Sequence, residues 1–256
     1  MEKGKEEFVL PTKPIKATVK NPKNIIIFSK PKCGKSSNAI QLNNSLLIDL
    51  EDSSDYLEGM KVKVSSIGDI KKYGDKIVEA KYPYSYIIID TITKLEEFCI
   101  PYAEILYAKS PMGATWYEKG KEKYGNILGL PNGSGYFWLK QAFFKMVDYI
   151  KTLAPNIIWL GHVKDIVLEK SGSEFNSADL DLTGKIKRIF AADSDAIGYL
   201  YRKGNENILS FKTSDDVSCG SRSAHLRNKE IVISELQNPG TPEEKLATFW
   251  DNIYIK

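Results

Sequence analysis

Arginine, histidine and cysteine are all scarce in this 256-residue chain. The four arginines, Arg188, Arg202, Arg222 and Arg227, all lie in its last third. Small-molecule and nucleoside kinases usually close an arginine-rich lid over the acceptor, so this distribution counts against such an enzyme. The three cysteines, Cys33, Cys99 and Cys219, are widely spaced and odd in number. They offer no disulfide framework and no zinc-ligand spacing, which points to a reducing compartment. No apolar run approaches the roughly 18 residues that a membrane span needs, so no membrane partner is expected. The opening stretch Met1–Glu7 is charged, with no apolar segment behind it, and predicts no secretion signal. A soluble, cytoplasmic protein is the expectation. Net charge is also small, +3, which neither demands nor excludes nucleic acid. Internal repeats and low-complexity tracts are lacking.

What is present is apolar sequence in short, regularly placed runs. Residues 1–23 are rich in lysine and proline and predict an extended arm. From 24 to 256 the chain predicts a single domain. Asn24–Phe28, Ser45–Asp49, Tyr86–Asp90 and Asn156–Gly161 are runs of four to six residues, separated by helical spacing over Ile67–Ala80, Leu95–Ala108 and Phe137–Leu153. Unbroken apolar runs of that length mark strands buried on both faces of a parallel sheet. After about residue 190 the texture changes to short strands at Asp195–Tyr201, Asn207–Phe211 and Glu230–Ile233, with turns between them. The predicted fold class is therefore α/β, a mainly parallel central sheet flanked by helices and extended by antiparallel strands towards the C-terminal end. Ser110–Gly135 and Lys164–Lys185 fit neither pattern and read as long polar loops, which in compact domains are usually functional or mobile.

The first run leads directly into Ser29-Lys30-Pro31-Lys32-Cys33-Gly34-Lys35-Ser36. This is a strand entering a phosphate-binding loop, one residue short of the G-x-x-x-x-G-K-[ST] pattern. In such a loop, backbone N–H groups wrap the β- and γ-phosphates, a lysine (Lys35) neutralises them, a hydroxyl (Ser36) holds Mg²⁺, and the following helix, starting near Ser37, points its positive end at the anion. ATP and Mg²⁺ are the expected ligands. Ser29 stands where the pattern has glycine, and a residue other than glycine costs about 1 kcal/mol or more if the backbone there is left-handed.

Ligands of open α/β sheets sit beyond the carboxyl ends of the strands. The third run ends at Asp90, placed to hold the Mg²⁺ shell. Strand-ending aspartates are also common caps. Just past the second run, Glu51 is placed to polarise a water for attack on the γ-phosphate, or is a solvated acid in an acidic turn. The fourth run ends at His162, a candidate contact to the γ-phosphate or an ordinary structural histidine.

Taken together, this order of motifs resembles the RecA-type strand-exchange ATPases, most nearly the small RecA-like single-strand-annealing ATPases of bacteriophages. The likeness spans about Asn24 to Ile233. It rests on the phosphate loop, on Ile48-Asp49-Leu50-Glu51, on Ile87-Ile88-Ile89-Asp90-Thr91, on Trp159-Leu160-Gly161-His162-Val163-Lys164, and on Leu182-Thr183-Gly184-Lys185 leading into Asp195-Ala196-Ile197-Gly198-Tyr199. His162 replaces a glutamine of RecA itself. The resemblance implies a general base at Glu51 and a nucleotide sensor at His162. It also implies rings or filaments on single-stranded DNA with ATP between subunits, DNA recombination or repair as the setting, and a single-stranded-DNA-binding protein as a partner. For a phage-encoded chain, the place of action would be the bacterial host's cytoplasm. Two loops reaching the DNA would fall within Ser110–Gly135 and Lys164–Lys185. Basic residues of a neighbouring subunit complete the site in relatives, and Lys212, Arg222 and Arg227 are the candidates here.

On its own terms the sequence supports DNA in part. Trp116, Lys119, Lys121 and Lys123 mix an aromatic ring with cations, which suits single-strand binding, with Lys164 and Lys185 in the second stretch. Glu118 and Glu122 offset the first group, and Lys/Glu alternation also describes a plain solvated helix face. Lysines of the arm could touch DNA, dock on a neighbour or stay in solvent. Two other readings stand beside the recombination ATPase: the kinase already weighed, and a nucleotide-gated assembly protein without turnover.

Overall fold

The structure, a computed structural model, describes residues 10–170, 173–214 and 217–256, and of 165–177 the backbone alone. Residues 1–9 of the expected arm lie outside the described residues. Chain order gives β1 (Asn24–Ser29), α1 (Lys35–Ala39), β2 (Ser45–Asp49), β3 (Lys61–Lys63), α2 (Ile67–Glu79), β4 (Tyr86–Asp90) and α3 (Ile92–Ala108). Then come α4 (Lys121–Tyr124), α5 (Ser134–Lys151), β5 (Asn156–Lys170), β6 (Ser173–Leu180) and α6 (Gly184–Asp193). The C-terminal part supplies β7 (Ala196–Lys203), β8 (Glu206–Ser210), β9 (Gly220–Ser221), β10 (Glu230–Gln237) and β11 (Lys245–Thr248).

One sheet runs β11-β10-β8-β7-β1-β5-β4-β2-β3, with β6 paired to β5 and β9 to β7. The segment from β7 to β3 is parallel, and β8, β10 and β11 extend it antiparallel. This is the expected mixed α/β architecture. Period-2 alternation explains the unbroken apolar runs. Ile26 and Phe28 of β1 join Ile87, Ile89 and Trp159 on the face covered by α2, α3 and α5, whereas Ile25 and Ile27 join Ile88, Ile158 and Leu160 on the face covered by α1 and the C-terminal Trp250. Register aligns Asp49 with Asp90 and Ser29 with His162, so the ends of four strands form one polar edge. Among the described residues, no helix is long and apolar enough to cross a membrane.

The structure corrects several expectations. Ser110–Gly135 is not a loose loop but a string of short helical turns, including Trp116–Gly120 and α4. Its glycines are packing positions. A Cβ on Gly120 would sit 2.1 Å from the Trp116 ring, and one on Gly135 would sit 1.9 Å from the Ile127 carbonyl oxygen. Each turn is too short to leave a periodic signal in the sequence. Lys164–Lys185 likewise is no loop: β5 runs on past the sheet and turns back as β6, an antiparallel ribbon with Lys164 opposite Asp179, followed by α6. The helix after the phosphate loop is only five residues long, so the expected pull of its dipole is weak. Helices α3 and α5 begin three residues earlier than their apolar spacing indicates, because Thr91 and Gly133 cap them. Strands β3 and β11 escaped the sequence reading.

Candidate nucleotide site

The polar edge encloses a cleft of about 420 Å³, lined by Pro31, Lys32, Gly34, Lys35, Ser36 and Ser37 from the loop, by Glu51, Ser53 and Leu57 after β2, and by Asp90, His162 and Arg202. Left-handed backbone at Lys32 (φ 62°) and Gly34 (φ 85°) curls the loop into the kind of concavity whose N–H groups bind anions. Lys30 and Cys33 belong to the loop without lining the cleft. Ser29 is the last residue of β1 and does not adopt a positive φ, so the glycine of the motif is not required there and serine carries no backbone strain. Its side chain has a task instead. The Ser29 hydroxyl donates to the Lys30 carbonyl (2.8 Å) and accepts from the Lys35 ammonium (3.0 Å). Lys35 is 7% exposed, and burial lowers its pKa against the opposing pull of Asp90 and Glu51.

Ser36 and Asp90 face each other across the loop, the Ser36 hydroxyl donating to Asp90 Oδ2 at 2.5 Å. Hydroxyl and carboxylate oxygens are the hard donors that suit Mg²⁺. Among the described residues, no group of three or more His, Cys, Asp or Glu could hold a metal by itself. The pair therefore fits a cation that arrives with phosphate oxygens and water. Burial raises the Asp90 pKa from 3.8 to about 6, ahead of repulsion from Glu51 and Asp49. A carboxyl raised in the fold favours folding while protonated; that contribution is complete below pH 4 and lost as pH climbs through about 6. Asp90→Asn is thus expected to raise the melting temperature of the nucleotide-free protein at pH 8, by on the order of 2–3 kcal/mol of stability, and to remove stabilisation by Mg²⁺-nucleotide. Thermal melts with and without ligand check both halves.

Glu51 is the centre of the second cluster. Thr91 Oγ1 donates to its Oε1 at 2.6 Å and His162 Nε2 lies 2.8 Å from the same atom. An ionised carboxylate only accepts, so His162 carries its proton on Nε2. These bonds, that from His162 first, hold the Glu51 pKa below the ordinary glutamate value. Both fall on Oε1, leaving Oε2 to meet water. Thr91 also caps α3, accepting the Lys94 N–H, so one hydroxyl serves fold and site.

Three contributors escaped the sequence reading. Buried Asp49 accepts the backbone N–H groups of Glu51, Ser53 and Ser54, all at 2.9 Å, and so shapes the turn that presents Glu51. The strand-ending aspartate followed by Glu51-Asp52-Ser53-Ser54 was its available signal. Tyr56, 98% exposed, stands beside the rim residues Ser53 and Leu57. Arg202 enters from β7, and nothing local in the sequence marks it.

Of the residues expected on DNA, Lys119, Lys121, Lys123, Lys164 and Lys185 are exposed. Trp116 is a correction. It is 2% exposed, its ring packed between Tyr107 and Tyr124, so it is closed to a base. Exposed rings nearby are Tyr117, Tyr136 and Phe137. Lys212, Arg222 and Arg227 lie away from the chain's own phosphate loop. Arg222 reaches Asp195, which anchors the N–H groups of Lys23 and Asn24 at the start of β1, and Arg227 donates to the Arg222 carbonyl. Lys212 pairs with Glu230 beyond β8. The five steps from Asn24 to Ser29 span about 17 Å, so none of the three serves its own loop.

A family model of the AAA domain matches residues 21–223. No curated protein matches the chain. Among solved structures, a KaiC-like protein from the hyperthermophilic archaeon Pyrococcus horikoshii OT3 superposes with a TM-score of 0.44 at 9% identity, with 89% of each chain covered.

Proposed function

The chain belongs to the AAA domain family, with a RecA-like P-loop ATPase fold, and from that premise we propose an ATP-dependent, single-stranded-DNA-binding recombination protein that anneals or exchanges strands and hydrolyses ATP between subunits. The observation that carries the ATPase reading is the convergence of Lys35, the Ser36–Asp90 pair and the Glu51–Thr91–His162 cluster in one cleft. Lys35 leaves Ser29 for the β- and γ-phosphates. Bound Mg²⁺ would supply charge neutralisation there, with Ser36 and Asp90 as its protein partners. Glu51 takes the proton of the attacking water through Oε2. His162 exchanges its bond to Glu51 for one to the γ-phosphate, and because it begins the free-standing part of β5, its position is felt along the β5–β6 ribbon.

Support for DNA comes from the outer end of the α3–α5 pair. Tyr117, Tyr136 and Phe137 are exposed beside Lys119, Lys121, Lys123 and Lys140, the last 5.5 Å from the Phe137 ring centre. Rings for base stacking mixed with cations for phosphate form a single-strand surface. Support for assembly comes from the arm. Ile15, Ala17 and Val19 alternate with Lys16, Thr18 and Lys20 on an extended segment that is exposed throughout. Such a one-faced strand suits a neighbouring subunit.

The test is the ATPase rate with and without single-stranded DNA, together with DNA affinity at 50 and 200 mM salt. Several-fold stimulation and a roughly 10–1,000-fold affinity loss are expected, since lysine–phosphate contacts release counterions. Unstimulated turnover with flat salt dependence would refute the DNA reading. Phosphoryl transfer to a small acceptor would favour a kinase, and binding without turnover a nucleotide-gated assembly protein.

A further inference from the structure

We propose that Arg202 is a nucleotide-binding residue of the chain's own site, a second cation that grips the β-phosphate shared by ATP and ADP. This rests on the ATP reading above.

Strand β7 lies beside β1 in parallel register, with Phe28 opposite Tyr199, so β7 continues past Tyr199 to bring Arg202 over the phosphate loop. One terminal guanidinium nitrogen, Nη2, lies 3.8 Å from where a Cβ of Gly34 would be, against the loop's last glycine. The side chain is aimed rather than loose. Its Nε donates to Asn207 Oδ1 at 3.4 Å. Asn207 is 1% exposed, and its Nδ2 donates to the buried Ser234 hydroxyl at 2.8 Å. Neighbouring strands β8 and β10 thus hold the guanidinium by one edge and leave its terminal nitrogens for the cleft.

Among the described residues, Arg202 forms no ion pair. An arginine is charged at any physiological pH, and its planar fork matches phosphate oxygens. An uncompensated guanidinium beside an anion-binding loop fits an anionic ligand. Topology fixes which part of that ligand it meets. Glu51, Thr91 and His162 gather at β4 and β5, on one side of β1, and Arg202 stands on the other. The two ends are about two strand spacings apart, roughly 10 Å. Arg202 therefore binds the nucleotide away from the reacting γ-phosphate.

Calorimetry with ATP, ADP and AMP in Mg²⁺ buffer, on the full chain and on Arg202→Ala, Arg202→Lys and Asn207→Ala, tests this. Arg202→Ala is expected to weaken ATP and ADP alike by about 10–100-fold, to leave AMP nearly unaffected, and to raise KM while kcat stays within about threefold. Arg202→Lys recovers part of the loss, and Asn207→Ala gives a smaller one because the charge remains and only its aim is lost. Arg202 is exposed, so its removal leaves the melting curve of the nucleotide-free protein in place. Unchanged ATP and ADP affinity in Arg202→Ala would overturn the proposal, and so would a collapse of kcat with ADP binding intact, which would move the residue to the γ end. If the unaltered chain binds neither nucleotide, the ATP reading itself fails and this inference falls with it.

Discussion

Lys35→Ala is expected to lower Mg²⁺-ATP affinity by at least two orders of magnitude and to remove measurable turnover. The ammonium is buried, and in the nucleotide-free protein it is held by the Ser29 hydroxyl at 3.0 Å and more loosely by the carbonyls of Ser29 and Lys30. Its pKa is depressed by desolvation, which means that burial disfavours the charge and an incoming polyphosphate relieves that cost. Alanine leaves a triphosphate facing Asp90 and Glu51 with no cation between, and a charge-assisted contact to a buried group is worth about 2–3 kcal/mol before that repulsion is counted. The same desolvation makes the variant a clean one, because deleting a buried charge leaves the nucleotide-free fold near its original melting temperature. Calorimetry with ATP and a phosphate-release assay measure the two effects. Turnover within threefold of the unaltered chain would show that phosphate binds elsewhere.

Glu51→Gln is expected to keep nucleotide binding and to slow hydrolysis by about 10²–10⁴-fold, the usual contribution of a positioned base. Glutamine has the same shape, and its carbonyl oxygen still accepts from Thr91 and His162. What it cannot do is take a proton from water. The lowered pKa of Glu51 matters here: His162 and Thr91 keep the carboxylate ionised and fixed rather than strongly basic, so its effect is positioning combined with proton acceptance. If nucleotide and DNA binding are coupled, the variant holds DNA for as long as ATP lasts. Single-turnover hydrolysis beside a binding isotherm separates the two steps. Normal hydrolysis in this variant would remove Glu51 as the base and leave the water to another group.

Where the sequence was easy to read, one physical fact made it so. A strand buried on both faces has no choice but to be apolar, and its first polar residue marks the edge of the sheet. Glu51, Asp90 and His162 were visible for that reason, and Lys35 and Ser36 through the spacing of the loop. Trp116 was misread because an aromatic among lysines looks the same whether its ring faces water or Tyr107 and Tyr124. The glycines at 120 and 135 were taken for close-approach positions on DNA, yet they are small because a ring and a carbonyl already fill the space.

By itself, then, the chain's order of residues determined which strands are buried, where the phosphate loop lies and which acids end beside it, since each of these is a short-range pattern of polarity and spacing. Only the folded molecule decided that Ser29 needs no glycine backbone, that Asp49 shapes the turn under Glu51, and that Arg202 with Asn207 closes the far side of the cleft. Those facts depend on which strands become neighbours. Arg202 meets Gly34 across 168 positions of sequence, and the pairing of β7 with β1 is a property of the whole sheet rather than of any segment.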